Sequence, residues 1–204
     1  MSAVAAPAPR VEEAEEGPRL HDFSKNHSTS SCEIIIGNER LYVSSEILSM
    51  HSHFFRSLFF EPKASNSTAN GDAENESEDD SAPALTRTSM REVRLDGVTK
   101  QDFVDLLNII YPSDLPITDV NVKSILALAD KYHFNVVIHE AENFLKQESK
   151  LAMEDRLDLA DKYRLATLAD NIISGLKDEE IKKLMRDGAL SDRTARKLTK
   201  RLIG

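Results

Sequence analysis

The chain has no tryptophan, one cysteine, seven glycines and no long apolar run, and each shortage removes a class of protein. Cys32 has no second thiol, so no disulfide framework forms within the chain and a reducing compartment, cytosol or nucleus, is expected. No stretch approaches the ~18 apolar residues of a membrane span, so no membrane partner is expected. Residues 1–18 have neither a basic start nor a continuous apolar centre, which argues against a secretory signal. The acceptor triplets at Asn26, Asn66 and Asn75 are accordingly expected to stay unglycosylated. With 26 Lys and Arg against 35 Asp and Glu, the formal net charge of -9 disfavours general nucleic-acid binding. The few glycines form no phosphate-cradling loop.

Chemistry is equally scarce. His51 and His53 stand two apart, which does not place them on one helix face, and no Cys or acid follows at metal-ligand spacing. Cys32 opens a strand with no nearby base and reads as a buried, inert thiol. No cofactor is expected, and the chain does not read as an enzyme.

A repeat is present instead. Leu-Ala-Asp-Lys-Tyr occurs at 128–132 and again at 159–163. The register extends from Leu126, Ala129, Phe134, Val137, Ala141 and Leu145 to Leu157, Ala160, Leu165, Leu168, Ile172 and Leu176. Apolar residues three or four apart, broken near His133 and Arg164, predict helix, turn, helix in each copy. Asp130 and Asp161 read as helix-surface carboxylates, and Tyr132 and Tyr163 as packing residues with the hydroxyl near water. Two copies fall short of the roughly three that a free-standing solenoid needs, so the pair should dock on something N-terminal.

Residues 1–30 are expected to form a largely disordered polar tail, with Leu20 and Phe23 as its only apolar anchors. Ile34 to Ile36, Gly37-Asn38 and Leu41 to Val43 predict a β-hairpin. Ser44 or Ser45 caps a helix with Ile47, Leu48 and Met50 on its apolar face. The next helix, to Phe60, carries four of the eight phenylalanines, Phe54, Phe55, Phe59 and Phe60. Residues 62–89 are polar and acidic, and Ser77 before Glu78, Asp79 and Asp80 is a possible phosphosite beside the plainer reading of a solvated spacer. Glu92 to Leu95 form a strand, Thr99 caps a helix bearing Phe103, Leu106, Leu107 and Ile110, and Tyr111-Pro112 ends it. Beyond residue 178, Ile181, Leu184, Met185, Leu190, Leu198 and Leu202 mark one or two short helices, with a solvated basic face at 193–201.

This order, with CEIIIGNERLYVSSEILSMHSHFFRSLFF at 32–60, EVRLDGVTKQDFVDLLNIIY at 92–111 and the helix pattern at 125–145, resembles the BTB/POZ family. It is most similar to the nematode-type set, whose C-terminal helices also repeat Ala-Asp-x-Tyr. The resemblance implies an α+β fold, a small mixed sheet flanked by helical hairpins over 31–148, with the acidic segment at 62–89 expected as a disordered insertion. An all-α extension over 149–204, similar to BACK or 3-box helices, follows. It implies protein–protein interaction, with a dimer built on Leu20, Phe23, Ile47 and Leu48 and a cullin-3-type scaffold met by Phe59, Phe60, Glu61, Met90, Glu92 and Tyr111. Met90-Arg91-Glu92 fits the family's hydrophobic-x-Glu motif by letter but lies close to the strand, and Phe59-Phe60-Glu61 is a looser match. Cys32-Glu33 stands where the family usually has Asp.

Adjacent Phe54, Phe55, Phe59 and Phe60 cannot all share one helix face. Either at least one serves a partner, or all four divide between the domain and the hairpin beneath it. No substrate-reading segment such as MATH, Kelch or zinc finger stands in these 204 residues. The leading reading is an adaptor that dimerises and brings an unknown target to a cullin-3-type ubiquitin ligase. The alternative is a scaffold that pairs only with itself or another BTB chain.

Overall fold

The computed structural model describes residues 19–61, 90–113, 115–187 and 190–203. Its element order is β1 (Cys32–Ile36), β2 (Glu39–Val43), α1 (Ser45–His51), α2 (His53–Phe60), β3 (Arg91–Arg94), α3 (Lys100–Ile110), α4 (Val122–Lys131) and α5 (Asn135–Gln147). The chain continues through α6 (Met153–Lys162), α7 (Ala166–Gly175), α8 (Asp178–Asp187) and α9 (Asp192–Ile203). Possible phosphosite Ser77 and the insertion at 62–89 lie outside the described residues.

The sheet has the order β2-β1-β3. β1 and β2 pair antiparallel with Ile36 opposite Glu39, so Gly37 and Asn38 form the two-residue turn. Gly37 takes φ +61°, which glycine adopts without steric cost. β3 runs parallel to β1, Cys32 opposite Arg91, and α1 and α2 lie within the crossover that a parallel pair requires. Central β1 is β-branched because it is covered: Cys32, Ile34 and Ile36 face the core. Burial pushes the Cys32 thiol up to about 12, so it stays protonated and unreactive.

Two apolar cores share one wall. Ile125, Leu128, Ala129, Phe134 and Val137 of the α4–α5 region face the sheet core. Val122, Leu126, Ala141 and Leu145 of the same two helices face a second core with α6, α7, Ile181 and Leu198. All twelve residues of the repeat register are buried.

The repeated pentapeptide builds the same helix end twice. Phe134 N–H donates to Ala129 O and Leu165 N–H to Ala160 O, both at 2.8 Å, while His133 and Arg164 each adopt φ 57°. His133 N–H reaches Asp130 O and Arg164 N–H reaches Asp161 O at 3.4 Å, completing a Schellman closure. Lys131 and Lys162 place their ammonium groups 5.2 and 5.1 Å from the rings of Tyr132 and Tyr163. A side-chain-bearing residue in this left-handed conformation loses about 1–2 kcal/mol, and glycine's greater freedom in the unfolded chain takes back about 0.4–1. Arg164→Gly is therefore expected to stabilise the protein by about 0.5–1 kcal/mol, read from urea unfolding; a loss of stability would contradict the strain argument.

Several expectations are corrected. Residues 19–30, expected as part of a disordered tail, are held to the domain: Phe23 is buried, its carbonyl accepts from Tyr42 N–H at 2.8 Å, and His21 N–H donates to Asn108 Oδ1 at 2.9 Å. Met50 points to solvent because Leu48 and Ser49 take the inward face of α1. Asp161 is more than a surface carboxylate, since it accepts from Ser191 N–H at 2.7 Å and from the Thr194 hydroxyl, fixing the start of α9. Burial raises its pKa, but these hydrogen bonds outweigh it and hold the carboxyl below the usual range.

Candidate interaction surface

Ser52 sets the position of α2. Its N–H closes α1 onto Leu48 O, and its Oγ accepts from Phe55 N–H at 3.1 Å as the N-cap of α2. The same hydroxyl donates to Tyr132 O at 2.6 Å, and His53 N–H donates to His133 O at 3.3 Å. The turn between the two helices of the first repeat unit thus holds the start of α2.

Helical periodicity then divides the aromatic residues. Phe55 and Phe59, one turn apart, are buried, with centroids 5.8 Å apart. Phe54 and Leu58, also one turn apart, are 37% and 38% exposed on the other side, and Phe60 is 55% exposed at the end. The exposed rings are braced from behind. Phe54 packs edge-on against Phe55 at 5.1 Å and against Tyr132 at 5.3 Å. Arg91 donates to Phe59 O at 2.6 Å and stacks its guanidinium over Phe59 and Phe60 at 5.7 and 5.5 Å. Such rings can enter an interface with little further loss of rotamer freedom.

Two hollows flank this helix. One, of about 420 Å³, lies between α2 and the repeat turn and is lined by His53, Phe54, Ser57, Leu58 and His133. The other, of about 370 Å³, brings Phe60 and Met90 together with Ser45, Glu46 and Arg91. Hydrogen bonds from the Ser31 and Ser44 hydroxyls, both 2.8 Å, hold the Glu46 carboxyl below the usual carboxylate range.

Of the residues expected to meet a cullin, Phe60 and Met90 line one hollow and Glu61 is exposed at the C-cap of α2. Glu92 is exposed in β3 and paired with Arg94 at 3.1 Å. Phe59 and Tyr111 are enclosed: Phe59 packs under α2, and the Tyr111 hydroxyl accepts from Ser44 N–H at 2.7 Å inside the fold. Burial raises the phenol's pKa, so it remains a neutral hydrogen-bonding group. The four residues expected at a dimer face are separated within the chain. Phe23 packs edge-on against Tyr111 at 4.9 Å and Leu48 is fully buried, which leaves Leu20 exposed and Ile47 half-buried.

Leu58, Arg91 and His133 were not singled out for contact from the sequence, and Phe54 entered only as one of four phenylalanines of which at least one was expected to serve a partner. The four-residue spacing opposite Phe55 and Phe59 carries the signal for Phe54 and Leu58, whereas Arg91 and His133 join the surface only through tertiary packing. Among the described residues no cluster of three His, Cys, Asp or Glu suits a metal ion, and no helix is long and apolar enough to cross a membrane.

The BTB/POZ domain family matches residues 20–149, a span that includes the segment anchored by Phe23. The chain is 30% identical over 159 residues to BTB and MATH domain-containing protein 36 of Caenorhabditis elegans, covering 78% of this chain and 42% of that protein. It is 28% identical over 182 residues to Kelch repeat and BTB domain-containing protein 1 of Vaccinia virus (strain Copenhagen), covering 84% of this chain and 28% of that protein. The chain thus spans less than half the length of these relatives. Among solved structures, the BTB domain of human gigaxonin aligns with a TM-score of 0.38 at 14% identity, covering 57% of this chain and 77% of that one.

Proposed function

Because the chain belongs to the BTB/POZ domain family, whose members self-associate and bind other proteins, we propose that it is a non-catalytic adaptor linking a target to a cullin-3-type ubiquitin ligase scaffold in the cytosol or nucleus. The observation that carries this reading is the braced aromatic end of α2, where Phe60 stays exposed while Phe55 and Phe59 are buried beneath it. Rigid exposed aromatics beside shallow hollows are the usual anchors of protein interfaces.

A second reading, a scaffold that only pairs with itself or another BTB chain, is favoured by one detail. Glu92, the acid of the hydrophobic-x-Glu motif, sits within β3 and is engaged by Arg94 rather than standing in a loop.

Calorimetric titration of the full chain with a cullin-3 N-terminal domain separates the two. The adaptor predicts saturable binding that Phe60→Ala weakens at least about tenfold, the effect of an interface residue worth ~1.4 kcal/mol or more. Absence of binding at tens of micromolar by a folded chain would remove the adaptor reading and leave the scaffold.

A further inference from the structure

The hairpins α4–α5, α6–α7 and α8–α9 stack so that α7 packs on α5 and α9 on α7. Polar ties join successive hairpins. Glu142 on α5 accepts from Leu168 N–H in the first turn of α7 at 3.0 Å. Asp161 accepts from Ser191 N–H at 2.7 Å, and Asp170 on α7 accepts from Lys197 on α9 at 2.5 Å. In these three ties the earlier hairpin contributes the carboxylate and the later hairpin the N–H or the cation, whereas Lys123 on α4 and Asp155 on α6 pair at 3.9 Å with the signs exchanged.

At the end of the stack α9 presents another side. Ala195, Thr199 and Ile203, spaced by four, line a groove of about 530 Å³ flanked by Arg196 and Lys200, with Asp192 at its N-terminal end. Ile203 is 83% exposed, and the smaller Ala195 and Thr199 leave room for close approach. Arg196 and Lys200 have no ion-pair partner within 4.0 Å among the described residues, although the chain as a whole carries a net charge of -9. We propose that this stripe docks an amphipathic helix of a partner protein whose apolar seam is edged with Asp or Glu.

Two observations support that occupant. Continuity of the stack makes helix-on-helix packing the geometry already used on the opposite side of α9, where a carboxylate of α7 meets a cation of α9. Charge then sets the partner's sign, since acid edges would meet Arg196 and Lys200. A membrane surface fits less well, because Leu198 is buried in the stack and Ile203 alone offers a large apolar contact. Nucleic acid fits less well because two flanking cations neutralise few phosphates on an acidic chain.

The test uses the full, isotope-labelled chain and two synthetic helical peptides of about 18 residues, five turns. They share a Leu seam and differ only in having Glu or Lys along its edges. The Glu peptide is expected to shift amide resonances within 195–203 and to bind at least about tenfold more tightly than the Lys peptide. The double reversal Arg196→Glu and Lys200→Glu should abolish that preference with an unchanged melting temperature, and Phe60→Ala should leave it intact. Equal binding of both peptides, shifts confined to other residues or no binding of the Glu peptide would overturn the proposal. So would tighter, reversal-sensitive binding to phosphatidylserine vesicles or duplex DNA.

Discussion

Phe55→Ala is expected to lower the unfolding free energy by about 3–5 kcal/mol, the range for emptying a buried aromatic site. Phe55 is fully buried, and its ring meets Phe59 at 5.8 Å, Tyr132 at 5.8 Å, Phe134 at 5.9 Å and Phe103 at 6.5 Å. Those partners come from α2, α3 and both sides of the first repeat turn, so the cavity would open where three elements meet and none could close it alone. Guanidinium-chloride unfolding followed by far-UV circular dichroism gives the value. Phe60→Ala is the control: a side chain 55% exposed leaves no comparable cavity and should cost less than about 1 kcal/mol. Similar losses for the two variants would mean that the division of α2 into an inner and an outer face is wrong.

Ser52→Ala is expected to cost about 2–3 kcal/mol, a large effect for the removal of one oxygen atom. Loss of the cap leaves Phe55 N–H unpaired at the start of α2, typically worth about 1 kcal/mol. Loss of the hydroxyl also takes the donor from Tyr132 O, whose partner is 2.6 Å away in a fully buried side chain, at about 1–2 kcal/mol more. Ser52→Thr keeps the oxygen and tests whether the hydroxyl or the space matters. If alanine unfolds at the same denaturant concentration as the native chain, the link between α2 and the first repeat unit is not carried by this residue. Both substitutions act at the base of the proposed partner face, so they are read on stability before binding is interpreted.

The sheet hairpin, the α1–α2 pair and the helical repeat were legible because each is local. β-Branched alternation around Gly37-Asn38, serine caps and a register of apolar residues at helical spacing need only neighbours in sequence. The same reasoning missed the anchoring of 19–30, because polar residues around Phe23 read as tail until Asn108 and Tyr42 supply distant partners. It also assigned contact roles to residues that the fold encloses. Phe59, Tyr111, Phe23 and Leu48 are large and apolar in amphipathic segments, and the inner and outer sides of such segments separate only once the packing of α3, α4 and the strands is known. The third hairpin was read only as one or two short helices, because α8 and α9 are dominated by charge and, of the six apolar residues that mark them, only Ile181 and Leu198 are fully buried.

The shared wall formed by α4 and α5 separates sequence inheritance from mechanical unity. The family match stops at residue 149, but Val122, Leu126, Ala141 and Leu145 on the near side of that point are covered by residues on the far side. Cutting there would lay bare an apolar surface instead of freeing a module. The seam between the two cores runs lengthwise through a pair of helices, so the family-matched domain and its helical extension are expected to unfold together.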